Sequence, residues 1–92
     1  MIESFKHKGL RQLFEGDTAK GVDAEHVRKL RQILAVLHAA ETIEALGLPT
    51  FGLHPLKGEL KGFWAVTVRA NWRAIFRFED SRASDVDLVD YH

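Results

Sequence analysis

The sequence predicts an α+β fold in one domain, with helices in the first half and antiparallel strands in the second. Three observations carry this. Val27, Leu30, Ile33, Leu34, Leu37 and Ala40 recur at helical spacing on one stripe. From Phe63 to Phe78, β-branched and aromatic residues take over. A chain of 92 residues has room for one core and no second domain.

The elements follow in order. "MIESF" suits a short strand through Ile2 and Phe5. In "KGLRQLFEG", Leu10, Leu13 and Phe14 share one helical face, and Gly16 suits the position just past a helix end. "GDTAKGVD" is a loop on its Gly and Asp content. Asp23 can cap a long helix, its carboxylate accepting first-turn N–H groups. That helix is predicted from Ala24 to Leu46, where Gly47 and Pro49 stop it. "LPTFGLHPLKGELKG" is a connection with little regular structure.

"FWAVTVRANWRAIFRF" predicts a hairpin with "AN" as its loop and positive φ at Asn71. Arg69 then opposes Trp72, and every later pair follows one register. Phe63, Ala65 and Thr67 would share a face with Trp72, Ala74, Phe76 and Phe78, against the helices. Trp64, Val66 and Val68 would share the wetter face with Arg73, Ile75 and Arg77. "EDSRASD" is a polar turn, and "VDLVDY" a last strand. No repeat or low-complexity tract is present.

Composition is globular, with 46% hydrophobic and 28% charged residues. A chain this size buries only about 60–65% of its unfolded surface, so aromatic residues matter to its small core. Six Phe and two Trp can build it. The absence of Cys excludes disulfides and thiolate metal sites and fits a reducing compartment. The opening "MIESFKHKGL" lacks the apolar run of a signal peptide, and no stretch is long and apolar enough to span a bilayer. Net charge is zero but uneven. Lys57, Lys61, Arg69, Arg73 and Arg77 stand against Glu59 in a basic stretch, followed by an acidic one with Glu79, Asp80, Asp85, Asp87 and Asp90 against Arg82. The basic stretch can meet an anion.

The five His form no H-x-H or H-E-x-x-H set, so no metal site is expected. His26 and His38 are expected as surface or boundary residues of the long helix, and His7 as a loop residue. His54 sits in "HPLKG", where Pro55 stiffens the backbone and Lys57 follows. This is either a plain polar turn or a loop presenting an imidazole and an ammonium to a phosphate. Arg73 and Arg77 share a strand face. They form a solvated face, with Arg77 over Trp64, or a phosphate clamp. "DYH" is either a polar end or a proton-transfer set, with Asp90 orienting His92 and Tyr91 donating to an oxygen or stacking on a base. Strand alternation splits this set, placing Asp90 and His92 on one side and Tyr91 with Val89 on the other.

Together, "MIESFKHKGLRQLFE", "LHPLKG", "GFWAVTVRANWR" and the final "DYH" resemble the HigB toxins of the RelE-like toxin–antitoxin superfamily. The resemblance runs nearly end to end, though the middle helix matches only in pattern. It implies helices packed on a mainly antiparallel twisted sheet. It implies a cytoplasmic bacterial endoribonuclease that cuts mRNA on the 70S ribosome with no metal or cofactor. The matching catalytic positions are His54, Lys57, Arg73, Asp90, Tyr91 and His92, and Lys57, Lys61, Arg69, Arg73 and Arg77 are candidates to hold RNA phosphates. A helix-turn-helix HigA-like antitoxin is the implied partner, with DNA reached only through the antitoxin complex and no membrane involved. The alternative is a non-catalytic toxin of the same fold that inhibits a target protein such as gyrase; a third reading is a copy that has lost toxicity. One departure stands out: such toxins tend to be basic, whereas this chain is neutral and "SRASDVD" adds acid near the site.

Overall fold

The computed structural model describes residues 1–90. Helix α1 spans Lys8–Glu15. His7 caps it: its Nδ1 accepts the Leu10 N–H at 3.1 Å, so this residue is a helix cap rather than a loop residue. Leu10 and Leu13 are buried. Phe14 lies between the rings of Phe5 and His38, with centroids 5.9 Å and 5.1 Å away. Gly16 ends the helix at φ −104°, its N–H bonded to the Gln12 carbonyl. The left-handed residue expected at Gly16 is instead Asp17, at φ 49°.

Helix α2 is shorter than predicted, spanning Val27–Ala39. A 3₁₀ turn, Ala24–His26, precedes it, and Asp23 makes no side-chain cap there. Leu30, Ile33, Leu34 and Leu37 form the buried stripe. The predicted continuation to Leu46 is broken at Ala40, which is extended at φ −66°, ψ 130°. The reason is in the pattern: continued helix would put Glu41 and Glu44 on the buried stripe, four and seven residues past Leu37. A second 3₁₀ turn, Ile43–Leu46, instead carries Leu46 into the core. Ser81 Oγ donates to the Glu41 carbonyl at 2.7 Å and ties the break to the sheet.

The sheet has four antiparallel strands in the order β1-β2-β3-β4. They are β1 (His54–Pro55), β2 (Phe63–Arg69), β3 (Trp72–Glu79) and β4 (Arg82–Asp90). The connection read as nearly irregular thus supplies an edge strand. Two residues are too short to show a period, and Pro is tolerated at an edge because no ladder N–H is needed there. The Leu56 N–H continues the pairing to the Phe63 carbonyl at 2.9 Å.

The β2–β3 hairpin keeps its two-residue loop and the Arg69–Trp72 pair. Its register does not follow from there. A bulge between Thr67 and Arg69 gives β2 one extra residue, so Thr67 opposes Arg73 and Phe63 opposes Arg77. Positive φ falls on Ala70, at 50°, rather than on Asn71. One extra residue inverts the faces of β2. Trp64, Val66 and Val68 pack toward the helices with Trp72, Ala74, Phe76 and Phe78. Phe63 and Ala65 lie on the opposite face with Ile75, Leu56, Leu60 and Val89. The prediction was correct for β3 and reversed for β2.

β4 starts earlier than expected, because Asp80 and Ser81 adopt φ 51° and 64° and close a tight two-residue turn between Glu79 and Arg82. A second bulge lies at Asp85, whose φ is 53°. The Asp85 and Val86 N–H groups donate to Ser4 Oγ and the Ser4 carbonyl. The opening segment runs parallel to β4 through isolated bridges, Ile2 to Ala83 and Phe5 to Val86, rather than as a full strand. The Ile2 N–H donates to His38 Nδ1 at 3.1 Å. Among the described residues, no helix is long and apolar enough to cross a membrane.

Candidate functional site

The sheet face away from the helices carries the sequence-predicted residues of β1 and β3. Pairing sets them in rows. His54 opposes Ala65, Ala65 opposes Ile75, and Ile75 opposes Asp87. The neighbouring row holds Thr67, Arg73 and Val89, and the row on the other side holds Phe63, Arg77 and Ser84. Leu56, Phe63, Ala65 and Ile75 are buried and make a firm floor. His54 and Arg73 therefore stand on one face, two strands and about two residues apart, which corresponds to roughly 12 Å between Cα atoms.

His54 is half-buried, and its Nδ1 lies 2.9 Å from the Gly52 carbonyl. A carbonyl only accepts, so Nδ1 carries the proton and Nε2 is the nitrogen left for chemistry. Gly52 adopts φ 57°, and a Cβ there would lie 3.1 Å from Thr67 Oγ1. The Phe51 carbonyl accepts from the Thr67 N–H at 2.6 Å and fastens this loop to β2.

Arg73 donates from Nη1 to the Ala70 carbonyl at 2.6 Å and to the Trp72 carbonyl at 3.2 Å. Its Nε is enclosed and, among the described residues, has no hydrogen-bond partner. Such a donor costs about 1–3 kcal/mol when unsatisfied. Arg77 is more committed. Its Cζ lies 4.4 Å from the centroid of Phe63, not over Trp64 as expected, and its Nε is 3.4 Å from Asp85. Lys57 and Lys61 are exposed and flank the 3₁₀ turn Gly58–Leu60. Arg69 is not brought to this face: it pairs with Trp72 in the helix-side row and meets Glu25 at 2.7 Å.

Asp90 opposes Trp72 and so belongs to the helix-side row, while Val89 opposes Arg73 on the other face. This is the alternation expected from the sequence, and it places Asp90 at the same end of the sheet as Arg73. The predicted Tyr91 and His92 lie outside the described residues. Asp87 was read only as strand acid, yet it shares the His54 row. The "VDLVD" alternation carried that signal, but a partner strand was needed to interpret it.

His7 and His38 each use Nδ1 to accept a backbone N–H. His26 is buried, contrary to expectation, with its ring 5.5 Å from that of Trp72. Among the described residues, no group of three His, Cys, Asp or Glu side chains could hold a metal ion.

Two helices on one face of a four-stranded antiparallel sheet, with a basic face opposite, define the fold of the RelE-like toxins. The chain superimposes with a TM-score of 0.64 on YafQ from E. coli strain BL21(DE3), at 16% identity over 98% of this chain and 91% of that one. It superimposes with a TM-score of 0.60 on a chain of the YoeB–YefM complex from Staphylococcus aureus, at 14% identity over 100% and 95%. At those identities the likeness is one of fold. Residues 3–92 match the family described as RelE-like toxin of type II toxin–antitoxin system HigB. The chain is also 45% identical, over the full length of both proteins, to Endoribonuclease HigB of Proteus vulgaris. This protein belongs to the HigB family of toxins.

Proposed function

We propose that this protein is an endoribonuclease toxin that cleaves mRNA being translated on the ribosome and so arrests translation and growth. The observation that carries this reading is His54 on the same open sheet face as Arg73, with Nδ1 tied to Gly52 and Nε2 available. The full-length likeness to Endoribonuclease HigB supports it.

RNA brings its own nucleophile, the 2′-OH. Cleavage needs that proton removed, charge on the phosphoryl oxygens stabilised, and the 5′-oxygen protonated as it leaves. His54 Nε2 takes one proton transfer. Arg73 holds phosphoryl oxygens through its guanidinium. Lys57, exposed beside the floor residue Leu56, adds a second cation. His92, oriented by Asp90, takes the opposite proton transfer, and Tyr91 aligns the substrate. Side-chain acid–base chemistry of this kind is sufficient without a metal. Lys61 extends the basic rim. Arg77 and Arg69 contribute charge at longer range, since each already has a carboxylate partner. A helix-turn-helix antitoxin of the HigA kind restrains the toxin, and the complex rather than the toxin touches DNA.

The test is induced expression in bacteria, with 5′ ends mapped on translated and untranslated copies of one mRNA. New ends confined to the translated copy are expected. Growth arrest with intact mRNA would overturn the nuclease reading and point to a toxin that inhibits a protein target.

A further inference from the structure

A cleft of about 330 Å³ opens on the helix side of the sheet, lined by His7, Lys20, Gly21, Asp23, His26 and Trp72. This lies within the roughly 300–1,000 Å³ typical of small-ligand sites. Its wall forms because α1 and the loop after it touch at two glycines: a Cβ on Gly9 would overlap the Gly21 carbonyl. His26 is only 4% exposed, and its imidazole makes no hydrogen bond among the described residues. Its ring nitrogens are not sealed off as the Arg73 Nε is, so the imidazole is left to bond a group in the cleft. Beside it stands the half-exposed Trp72 indole, with ring centroids 5.5 Å apart and planes inclined by 56°. Exposed Lys20 sits on the rim.

The cleft lies on the opposite sheet face from His54 and Arg73 and meets that site at the end of the sheet. Trp72 is the register partner of Asp90, and Arg73 donates to the Trp72 carbonyl. A planar heteroaromatic group that stacks on an indole, hydrogen-bonds an imidazole and carries an anion toward a lysine is a nucleotide. We propose that this cleft is a nucleobase subsite. It takes the base of an RNA nucleotide next to the scissile phosphate, with Trp72 stacking on it, His26 reading its edge and Lys20 facing its phosphate. The inference rests on the endoribonuclease reading for its place in the reaction, but binding in the cleft can be measured without cleavage.

The experiment titrates the full-length protein with each of the four nucleoside 5′-monophosphates. The Trp72 indole N–H and the His26 ring protons are followed by NMR. In parallel, mRNA cleavage ends are sequenced for wild type, H26F and K20A. H26F keeps a ring against Trp72 but removes both nitrogens, and its fold is checked by thermal melting. K20A changes an exposed side chain and needs no repacking. The expected result is that at least one nucleotide shifts both resonances and K20A weakens that binding severalfold. H26F should lower the base preference at one position beside the cut by about tenfold, the loss expected for one hydrogen bond. Nucleotide-dependent shifts in a wild type that leaves mRNA intact would support the cleft and overturn only the nuclease reading. An active wild type with no shift from any nucleotide and an unchanged H26F cleavage profile would overturn the proposal. So would shifts that arise only on adding an antitoxin.

Discussion

Arg77 lies over the ring of its cross-strand partner Phe63, with Cζ 4.4 Å from the ring centroid. The same guanidinium meets Asp85, and its Nη1 would be 2.9 Å from a Cβ on Gly62. Arg73, four residues earlier on the same face, is held among the described residues by backbone carbonyls alone, through Nη1. Two arginines that look equivalent in the sequence therefore have different work.

Replacing each in turn separates those roles. R77A is expected to cost stability, about 0.5–1 kcal/mol for the lost stacking, with cleavage changed only a few-fold. R73A is expected to lower cleavage of ribosome-bound mRNA by about 10²–10³-fold, the range for losing one preorganised charge donor. Thermal melts and single-turnover cleavage measure the two effects. Equal losses of activity in both variants would refute this division.

H54A is expected to reduce cleavage by about 10²–10⁴-fold while the melting temperature hardly moves. The side chain is half-buried at an edge strand, and its Nδ1 is bonded to the Gly52 carbonyl. A melt that collapses along with activity would mean that His54 holds the loop rather than moving a proton.

H92A is expected to abolish growth arrest and leave a folded protein. The readouts are colony formation on induction and the circular dichroism of the purified variant. Full toxicity from H92A would remove the assigned proton-transfer role.

G62A tests the loop that carries Lys57 and Lys61. Gly62 adopts φ 98°, a conformation that side chains rarely accept, and its new methyl would press on Arg77. A loss of more than about 1 kcal/mol in denaturant unfolding is expected. A neutral G62A would show that the loop can relax without cost.

Much of this molecule was legible before folding. The α2 stripe, the two-residue β2–β3 loop and the inward face of β3 all follow from local spacing and residue chemistry, because each needs only its own neighbours. The placement of Asp90 opposite Val89 was legible too, since alternation is a property of one strand.

Other features depended on residues far apart in the chain. Edge strand β1 exists because β2 pairs with it. Helix α2 stops at Ala39 because its stripe runs out at Glu41 and Glu44, and Ser81 from the sheet secures the break. The bulge before Arg69 shifted β2 by one residue and exchanged its two faces, putting Phe63 rather than Trp64 under Arg77. A period-two pattern gives the same reading on either face when both carry apolar residues, as they do in β2. Only the packing of Trp64, Val66 and Val68 against the helices could choose between them.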